Sequence, residues 1–171
     1  METWDAIRAR RNVREFADRP IAKDDLDLIL EAGRRSPSSR NTQPWDFVAI
    51  TDRDQLRDLA KVWRGGWHVA GSAATIAVIA PRTDDARMEA VIEYDLGQAS
   101  MAMMIAAADR GIGSCHSAVR DEDLAREILG YPNDRRCAVL ISLGYPADRP
   151  LRPIRSPNRR AFDDVAHYGR W

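Results

Sequence analysis

A run of polar residues near the start of the chain, Arg10-Arg11-Asn12-Val13-Arg14, has the residue types of an anion-binding site. A guanidinium group can bind two phosphate oxygens at once, and a phosphomonoester dianion takes two or more such donors. Residues four apart lie on one side of a helix, so Arg10 and Arg14 would face one ligand if the helix predicted over residues 3–11 continued through them. The alternative is a solvated basic helix end, and the run alone does not decide between the two.

The net charge of the chain is zero, because 26 basic residues are balanced by 26 acidic ones. A balanced chain has no general attraction to nucleic acid or to an anionic membrane, so any anion site must be local. Lys23 and Lys61 are the only lysines, so arginine is common and an arginine run is a weaker signal than usual. With 171 residues, 44% of them apolar and 30% charged, the chain is predicted to form a single domain over residues 1–171.

The segment Pro37-Ser38-Ser39-Arg40-Asn41-Thr42-Gln43-Pro44 is polar and bounded by prolines, which predicts a loop. Its hydroxyl and amide groups offer donors and acceptors that could recognise the amide-like edge of a heterocycle. A surface loop whose polar groups satisfy one another is the alternative, and the segment taken alone favours it.

The last part of the chain, residues 146–171, is predicted to be a C-terminal arm. Residues 149–160 contain five arginines, three prolines and no acid, a composition that disfavours a helix and indicates an extended segment ending in Arg159-Arg160. Such an arm could close over an anion, wrap a neighbouring subunit or touch nucleic acid. No aromatic residues interleave the arginines, so base stacking finds no support.

Several other chemistries find no pattern in the sequence. His68, His116 and His167 lack metal-ligand spacing, so we expect no metal. No serine or cysteine arrangement indicates a nucleophile, so we assign no catalytic side chain. Cys115 and Cys137 form no disulfide framework, which favours a reduced, cytoplasmic protein. The N-terminus lacks a signal-peptide pattern, and no apolar stretch is long enough to span a bilayer.

Hydrophobic periodicity and breaker residues predict the secondary structure. The predicted helices cover residues 3–11, 23–35, 53–62, 85–109 and 121–129. The predicted strands cover residues 45–50, 73–80 and 137–143, with a short strand after the turn Gly111-Ile112-Gly113. Loose alternation of helices and strands predicts an α+β fold in which helices cover both faces of a sheet.

The helix at 85–109 is unusual because its second half is apolar on almost every side. An apolar stripe of Met88, Val91, Ile92, Ala99, Ala102 and Ala106 is joined there by Met101, Met103, Met104 and Ile105. A helix of this kind must be covered all round. A chain of this length with few other helices would not cover it alone, which predicts a partner subunit.

Taken together and in this order, these segments resemble the nitroreductase family of FMN-dependent oxidoreductases over nearly the whole chain. The matching motifs are Ala6-Ile7-x-x-Arg10-Arg11-Asn12-Val13-Arg14-x-Phe16, Pro37-Ser38-Ser39-x-Asn41-x-Gln43-Pro44-Trp45, the long helix before Gly111-Ile112-Gly113-Ser114-Cys115, Leu143-Gly144-Tyr145-Pro146, and a basic tail closing at Trp171. Each motif is modest alone, and their order and spacing carry the resemblance.

The resemblance implies a three-layer α/β/α sandwich with a mostly antiparallel central sheet, in an intertwined homodimer with two FMN molecules at the subunit interface. It implies that Arg10, Asn12 and Arg14 hold the FMN phosphate, with Arg159 or Arg160 from the tail, and that Ser38, Ser39 and Asn41 approach the flavin from the other subunit, with Gln43 supporting their loop. The backbone of Cys115, His116, Ser117 and Ala118 would lie along the N5/O4 edge of the flavin. Arg11 and Pro37, which belong to the same motifs, complete the expected cofactor-binding set.

Two residue positions depart from the family pattern. Asn12 stands where many members carry Ser, and it still offers a hydrogen-bond donor. Many members also have a Lys before the second strand, near the flavin pyrimidine, where this chain offers only Arg64 and His68. A cation there stabilises the anionic reduced flavin. The sequence leaves open which of these residues, if either, does so.

The leading functional hypothesis is an FMN-dependent reductase that takes hydride from NAD(P)H and passes it, by a ping-pong mechanism, to a nitroaromatic, quinone or other conjugated acceptor. One alternative is a relative that carries out oxygen-dependent oxidation or flavin remodelling. A second is a flavin-binding or carrier protein without turnover. A third, which zero net charge disfavours, is a basic-armed protein that binds nucleic acid. A deazaflavin in place of FMN also remains open.

Overall fold

The computed structural model describes residues 1–171. The helices are α1 (Thr3–Ala9), α2 (Lys23–Arg34), α3 (Arg53–Leu59), α4 (Ala86–Asp109) and α5 (Glu122–Leu129). The strands are β1 (Asp46–Ile50), β2 (Ala74–Pro81), β3 (Gly113–Ser117) and β4 (Arg135–Gly144). Short 3-10 segments cover Ser39–Asn41, Ala60–Val62, Arg64–Val69 and Phe162–Asp164. The predicted helices and strands are therefore all present, with ends that differ by a few residues.

The four strands form one sheet in the order β1-β2-β4-β3, and every neighbouring pair is antiparallel. Strand β2 lies inside this sheet, and all its residues except Pro81 are buried. Burial on both faces explains why its sequence is a continuous apolar run rather than an alternating one. Strand β3 is an edge strand, a position that matters for the site below.

Helices cover both faces of the sheet. On one face α2 and α4 pack through residues such as Ile29 and Met103 against Ile76 of β2. On the other face α3 and α5 pack against alternate residues of the same strand, including Ile79. Successive side chains of a strand point to opposite faces, which is how one strand serves both cores. The predicted three-layer sandwich is confirmed.

Local signals set several helix ends. The side chain of Asp52 accepts a hydrogen bond of 2.8 Å from the backbone N–H of Gln55 and caps α3, as the sequence predicts. The side chain of Gln55 does not return to Asp52 but donates to the carbonyl of Ile128, 3.2 Å away. Asp121 caps α5, and Gly130 ends that helix in the left-handed conformation with φ of 73°.

Helix α4 is better covered by its own chain than the sequence analysis predicts. Met103 and Met104 are fully buried in the core beneath α2, whereas Met101 is 39% exposed. The side that remains uncovered is a stripe of Ala90, Tyr94, Gly97 and Met101, which we call the open stripe of α4. Those residues follow helical spacing, so they share one side. No helix, α4 included, combines the length and hydropathy needed to cross a bilayer.

The arm after β4 has no helix or strand apart from the short 3-10 segment Phe162–Asp164. Its first part is held down by Leu151, which is buried with Ala9, Val13 and Ala108 in a small separate core. The arm therefore lies against α1 and the end of α4, near the arginine run at residues 10–14.

Candidate functional site

The arginine run is extended rather than helical. Helix α1 ends at Ala9, and Arg10 already has φ of −60° and ψ of 124°. The predicted helical pairing of Arg10 with Arg14 is therefore wrong. Asn12 instead forms a parallel bridge with Ser114 of β3, and the N–H of Val13 donates to the carbonyl of Ser114 at 3.0 Å.

Extended backbone still places the binding candidates together, because alternate residues of an extended segment point to the same side. Arg10, Asn12 and Arg14 share one side, and a guanidinium N–H of Arg10 donates to Oδ1 of Asn12 at 3.0 Å. Val13, between them, is buried on the other side. Arg10, Asn12 and His116 line one cleft of about 570 Å³ beside α4. We call it the flavin-side cleft, after the ligand that the family resemblance predicts for these residues.

The arginines on this side of the segment lack acidic partners, and Glu93, the carboxylate that lines the cleft, pairs with Arg136 at 2.5 Å. Neither Arg10 nor Arg14 has a carboxylate within 4.0 Å, in contrast to Arg11 between them. Burial lowers the pKa of Arg10, and the nearby positive charge of Arg159 lowers it further, whereas Cys115 acts in the opposite direction. The Nε atom of Arg10 is buried without a hydrogen-bond partner. A partly desolvated cation with no counter-ion is electrostatically suited to bind an anion.

Arg11 points elsewhere. Its guanidinium forms an ion pair of 2.6 Å with Asp148 and donates to the carbonyl of Arg149 at 3.0 Å. At the end of the arm, Arg159 is close enough to Arg10 to affect its charge, whereas Arg160 donates to the carbonyl of Asp164 at 2.6 Å. None of Arg11, Arg159 and Arg160 lines the flavin-side cleft, and of the three Arg159 is the one whose positive charge lowers the pKa of Arg10.

Strand β3 carries the next group of candidates at the edge of the sheet. Cys115 and Ser117 are buried, His116 is exposed in the flavin-side cleft, and Ala118 follows the strand. Beyond the bridge to Asn12, β3 has a neighbouring strand on only one side. An edge strand presents unpaired N–H and C=O groups, so the backbone here can pair with the polar edge of a ring. Although the side chain of His116 reaches solvent, partial desolvation within the cleft and the positive charge of Arg10 lower its pKa.

His68 is not brought to the cleft. Its side chain is 1% exposed, and Nδ1 lies 2.7 Å from the hydroxyl of Ser142, which donates to the carbonyl of Cys115 at 3.2 Å. Burial lowers the pKa of His68, and Arg14 lowers it further, so the ring is uncharged at neutral pH. Through Ser142, His68 supports β3 from the interior of the protein. Of the two candidates Arg64 and His68, only Arg64 is exposed. No group of three or more His, Cys, Asp or Glu residues could hold a metal ion.

The loop at residues 37–44 is held in an unusual backbone conformation. Arg40, Asn41 and Gln43 have φ of 53°, 57° and 50°, a region that non-glycine residues rarely adopt. The hydroxyl of Ser38 accepts a hydrogen bond of 2.9 Å from the N–H of Gln43. Strain of this kind persists only when surrounding contacts fix it, and it concentrates at functional sites.

Asp95 of α4 fixes this loop, and the sequence analysis missed it. Its carboxylate is 2% exposed and accepts hydrogen bonds from the N–H of Ser39 at 2.9 Å and from Nε2 of Gln98 at 3.3 Å. A signal was present, since an acidic residue between Ile92 and Ala99 interrupts the predicted apolar stripe. A buried carboxylate must have hydrogen-bond donors.

The two groups of candidates lie on opposite sides of the open stripe of α4. One cleft is lined by Pro37, Ser38, Ser39 and residues of α4 that include Tyr94 and Asp95. The flavin-side cleft is lined by residues of α4 that include Gly97 and Met101. Within one chain the loop and the arginines therefore do not meet, and the uncovered face of α4 separates them.

Comparisons with known proteins agree with this architecture. The family model described as the nitroreductase family matches residues 7–78 and 63–145. A protein of Archaeoglobus fulgidus, provisionally named NADH dehydrogenase/NAD(P)H nitroreductase, is 31% identical over 96% of both chains. A Thermus thermophilus protein named NADH dehydrogenase is 27% identical over 88% of this chain and 90% of its own.

Solved structures also match. A Parabacteroides distasonis protein, again provisionally named NADH dehydrogenase/NAD(P)H nitroreductase, is 26% identical with a TM-score of 0.84 over 100% of this chain and 99% of its own. An NADPH:FMN oxidoreductase of Vibrio harveyi shares the fold at 21% identity, with a TM-score of 0.84 over 97% of this chain and 76% of its own. On the family match and the Archaeoglobus relative, the chain belongs to the nitroreductase family of oxidoreductases.

Proposed function

We propose that the protein is an FMN-dependent NAD(P)H oxidoreductase whose cofactor phosphate binds in the flavin-side cleft. The observation that carries this proposal is the uncompensated Arg10, which lines the cleft with Asn12 and whose Nε atom is buried without a hydrogen-bond partner. Arg14 follows on the same side of the extended segment, Arg159 is near enough for its charge to lower the pKa of Arg10, and neither Arg10 nor Arg14 has a carboxylate within 4.0 Å. A phosphomonoester dianion would supply the missing charge and accept hydrogen bonds from Arg10 and Asn12.

The edge of β3 is suited to the ring system of the same cofactor. The backbone of residues 115–118 offers donors and acceptors beside the phosphate-binding arginines, and the apolar Met101 lines the same cleft. FMN held there would supply the redox chemistry that couples oxidation of NAD(P)H to reduction of a nitroaromatic, quinone or other conjugated acceptor. The side chains bind and orient the cofactor and the substrates, and none is needed as an obligatory acid or base.

We further propose a homodimer that joins the open stripes of two α4 helices. The loop of Ser38, Ser39 and Asn41 does not reach the flavin-side cleft of its own chain, although the same helix borders both. Packing the stripes against each other would bury Tyr94 and Met101 and bring the loop of one subunit towards the cleft of its partner. The strained backbone of the loop fits a role in contacting a ligand.

An absorption spectrum of the purified protein, with the released cofactor identified by mass spectrometry, tests the cofactor assignment. We expect a flavin spectrum, one FMN per chain, and bleaching when NADH or NADPH is added without oxygen. A colourless protein that binds no added FMN would contradict the proposal. FMN that stays oxidised with both nicotinamides would favour a carrier protein, and a released deazaflavin would replace FMN in the assignment.

A further inference from the structure

A second arginine-lined cleft, of about 600 Å³, lies beside residues 149–155 of the arm. Arg11 lines it together with Arg149, Arg152 and Arg155, and none of the residues proposed to contact FMN does. We call it the arm cleft. Since Arg11 and Arg10 point to opposite sides of one extended segment, the arm cleft is separate from the flavin-side cleft.

The sequence of this part of the arm, Arg149-Pro150-Leu151-Arg152-Pro153-Ile154-Arg155, repeats every three residues. Two prolines in a segment without helix or strand favour the polyproline II conformation, which has three residues per turn and rises about 3.1 Å per residue. In that conformation the three arginines share one side at intervals of about 9 Å. Leu151 and Ile154 occupy the third position of the repeat; Leu151 is buried and does not line the cleft, whereas Ile154 is partly exposed and does.

The arm segment is held by its own chain. Leu151 packs with Ala9 and Val13, and the N–H of Ile154 donates to the carbonyl of Arg8 at 3.0 Å. A guanidinium N–H of Arg11 donates to the carbonyl of Arg149 at the start of the segment. The arrangement of the arginines is therefore fixed without help from a partner subunit.

The arm cleft has more positive than negative charge. Asp148, the acidic residue directly before the arm segment, pairs with Arg11 at 2.6 Å and with Arg149 at 3.8 Å. The hydrogen bond from Arg11 holds the pKa of Asp148 below its usual range. Arg152 and Arg155 form no ion pair at all. Four guanidinium groups around one cleft with a single carboxylate repel one another, so an anion that bridges them would be stabilised.

We propose that the arm cleft binds a small molecule that carries two or more linked phosphate groups. Guanidinium groups favour phosphate oxygens, and a single phosphate dianion would balance at most two of the four positive charges around the cleft. Linked phosphates offer a longer row of oxygens. A nucleic acid is disfavoured, because the seven-residue segment contains no aromatic side chain on which a base could stack and the whole chain has no net positive charge.

Calorimetric titration of inorganic tripolyphosphate at low ionic strength tests the site, with the protein saturated with FMN so that the flavin-side cleft is filled. We expect one site per chain. Arg152→Gln and Arg155→Gln should each weaken binding roughly tenfold to a hundredfold, the range for one charge-assisted hydrogen bond. Arg120→Gln is the matched control, since Arg120 is exposed, forms no ion pair and lies outside the arm cleft. It removes the same charge and should leave binding unchanged.

Any of three results with tripolyphosphate would overturn the proposal. The first is that the wild type does not bind it. The second is that Arg120→Gln loses as much affinity as the arm variants, which would show diffuse electrostatic attraction. The third is that Arg10→Gln loses affinity while Arg152→Gln does not, which would place the anion in the flavin-side cleft. Titrating ADP in parallel distinguishes the sources, because tighter binding of ADP supports a nucleotide ligand and tighter binding of tripolyphosphate supports an inorganic one. Retention of a single-stranded oligonucleotide without binding of either small phosphate would also refute it.

Discussion

The backbone N–H of Ser39 donates a hydrogen bond of 2.9 Å to the buried carboxylate of Asp95. This contact ties the loop at residues 37–44 to the long helix α4, 56 residues further along the chain. The loop contains three non-glycine residues with positive φ, and such backbone conformations are costly unless contacts hold them. Asp95 is therefore a positioning residue for a loop that we propose contacts the cofactor of the partner subunit.

Replacing Asp95 by Ala should weaken FMN binding. The change removes the acceptor of the Ser39 N–H. Because a hydrogen bond to a charged group is worth about 1.5–3 kcal/mol, FMN affinity should fall roughly tenfold or more where that energy is carried into binding. Quenching of flavin fluorescence measures it. Asp84→Ala is the control, because Asp84 is exposed and forms no ion pair. Equal FMN affinity in the two variants, with both folded by circular dichroism, would show that the loop does not need this anchor.

The neighbours Arg10 and Arg11 should differ sharply on truncation. Arg10→Ala and Arg14→Ala should each lower FMN affinity about tenfold to a hundredfold, because each removes a charge-assisted contact to the phosphate. Arg11→Ala should leave FMN affinity nearly unchanged, since Arg11 pairs with Asp148 instead. Equilibrium dialysis of FMN against the three variants decides the matter.

Arg34→Ala is a suitable background control, because Arg34 forms only an exposed pair with Glu31. Arg53 would be a poor control, since its guanidinium donates to the carbonyl of the buried Ser72 at 2.6 Å. Equal losses of FMN affinity in the Arg10, Arg11 and Arg34 variants would indicate that the arginine run is a solvated basic segment and not a phosphate site.

Met101 and Met104 should respond differently to a buried charge. Met104→Glu should destabilise the fold itself by several kcal/mol, because that side chain is fully buried in its own subunit. Met101→Glu should leave the subunit folded and break the dimer, with loss of FMN. Light scattering and flavin content measure both effects. Met88→Glu changes another exposed methionine outside the open stripe, and it should stay dimeric. A monomeric wild type that holds stoichiometric FMN would refute the shared site.

The close approach of Val13 to Gly113 gives a compensating pair. A Cβ atom at Gly113 would lie 2.6 Å from Cγ2 of Val13, so Gly113→Ala should push the segment of Arg10 and Arg14 away from β3. Overpacking of this kind costs about 1–3 kcal/mol, part of which should reduce FMN affinity. Adding Val13→Ala makes room for the new methyl group and should restore part of the affinity. Gly71→Ala, where a Cβ meets nothing, is the control. A double variant no better than Gly113→Ala would argue against this contact.

Alkaline pH should destabilise the protein partly through Cys137. Burial raises the pKa of this thiol to about 12, and the nearby Glu122 contributes. The folded state then binds the thiol proton more tightly than the unfolded state, whose pKa is about 9. The contribution of Cys137 to the free energy of unfolding is therefore complete below pH 9. It is lost between about pH 9 and 12, by up to about 1.4 kcal/mol per pH unit. Urea unfolding from pH 8 to 11 should show a shallower decline in Cys137→Ala, and parallel declines would exclude this cause.

Much of the fold was predictable because its signals are local. Asp52 and Asp121 cap helices through their own neighbours, Gly130 ends a helix, and β2 is apolar because both its faces are covered. The site motifs were visible for the same reason. Each is a short run of polar residues with restricted backbone.

The remaining features depend on contacts that are distant in sequence. The sequence does not tell whether Met101 or Met104 is buried, because that depends on the position of α2 in the fold. The separation of Arg10 from Arg11 requires the end of α1 at Ala9, two residues earlier than the predicted end of this helix. Asp95 could have been found, since a carboxylate within an apolar stripe needs a donor, but nothing local identifies that donor as Ser39.

The bridge between Asn12 and Ser114 fixes which side of the extended segment each residue of the arginine run faces. Pairing at this position assigns Arg10 and Asn12 to the flavin-side cleft and Arg11 to the arm cleft, with Arg14 on the same side of the segment as Arg10. A shift by one residue would exchange the two sets, because side chains alternate along an extended segment. Inserting or deleting a single residue between Ala9 and Asn12 would therefore exchange which cleft each arginine serves, whereas many substitutions would alter only one contact. The number of residues in this segment constrains the protein more tightly than most of their identities.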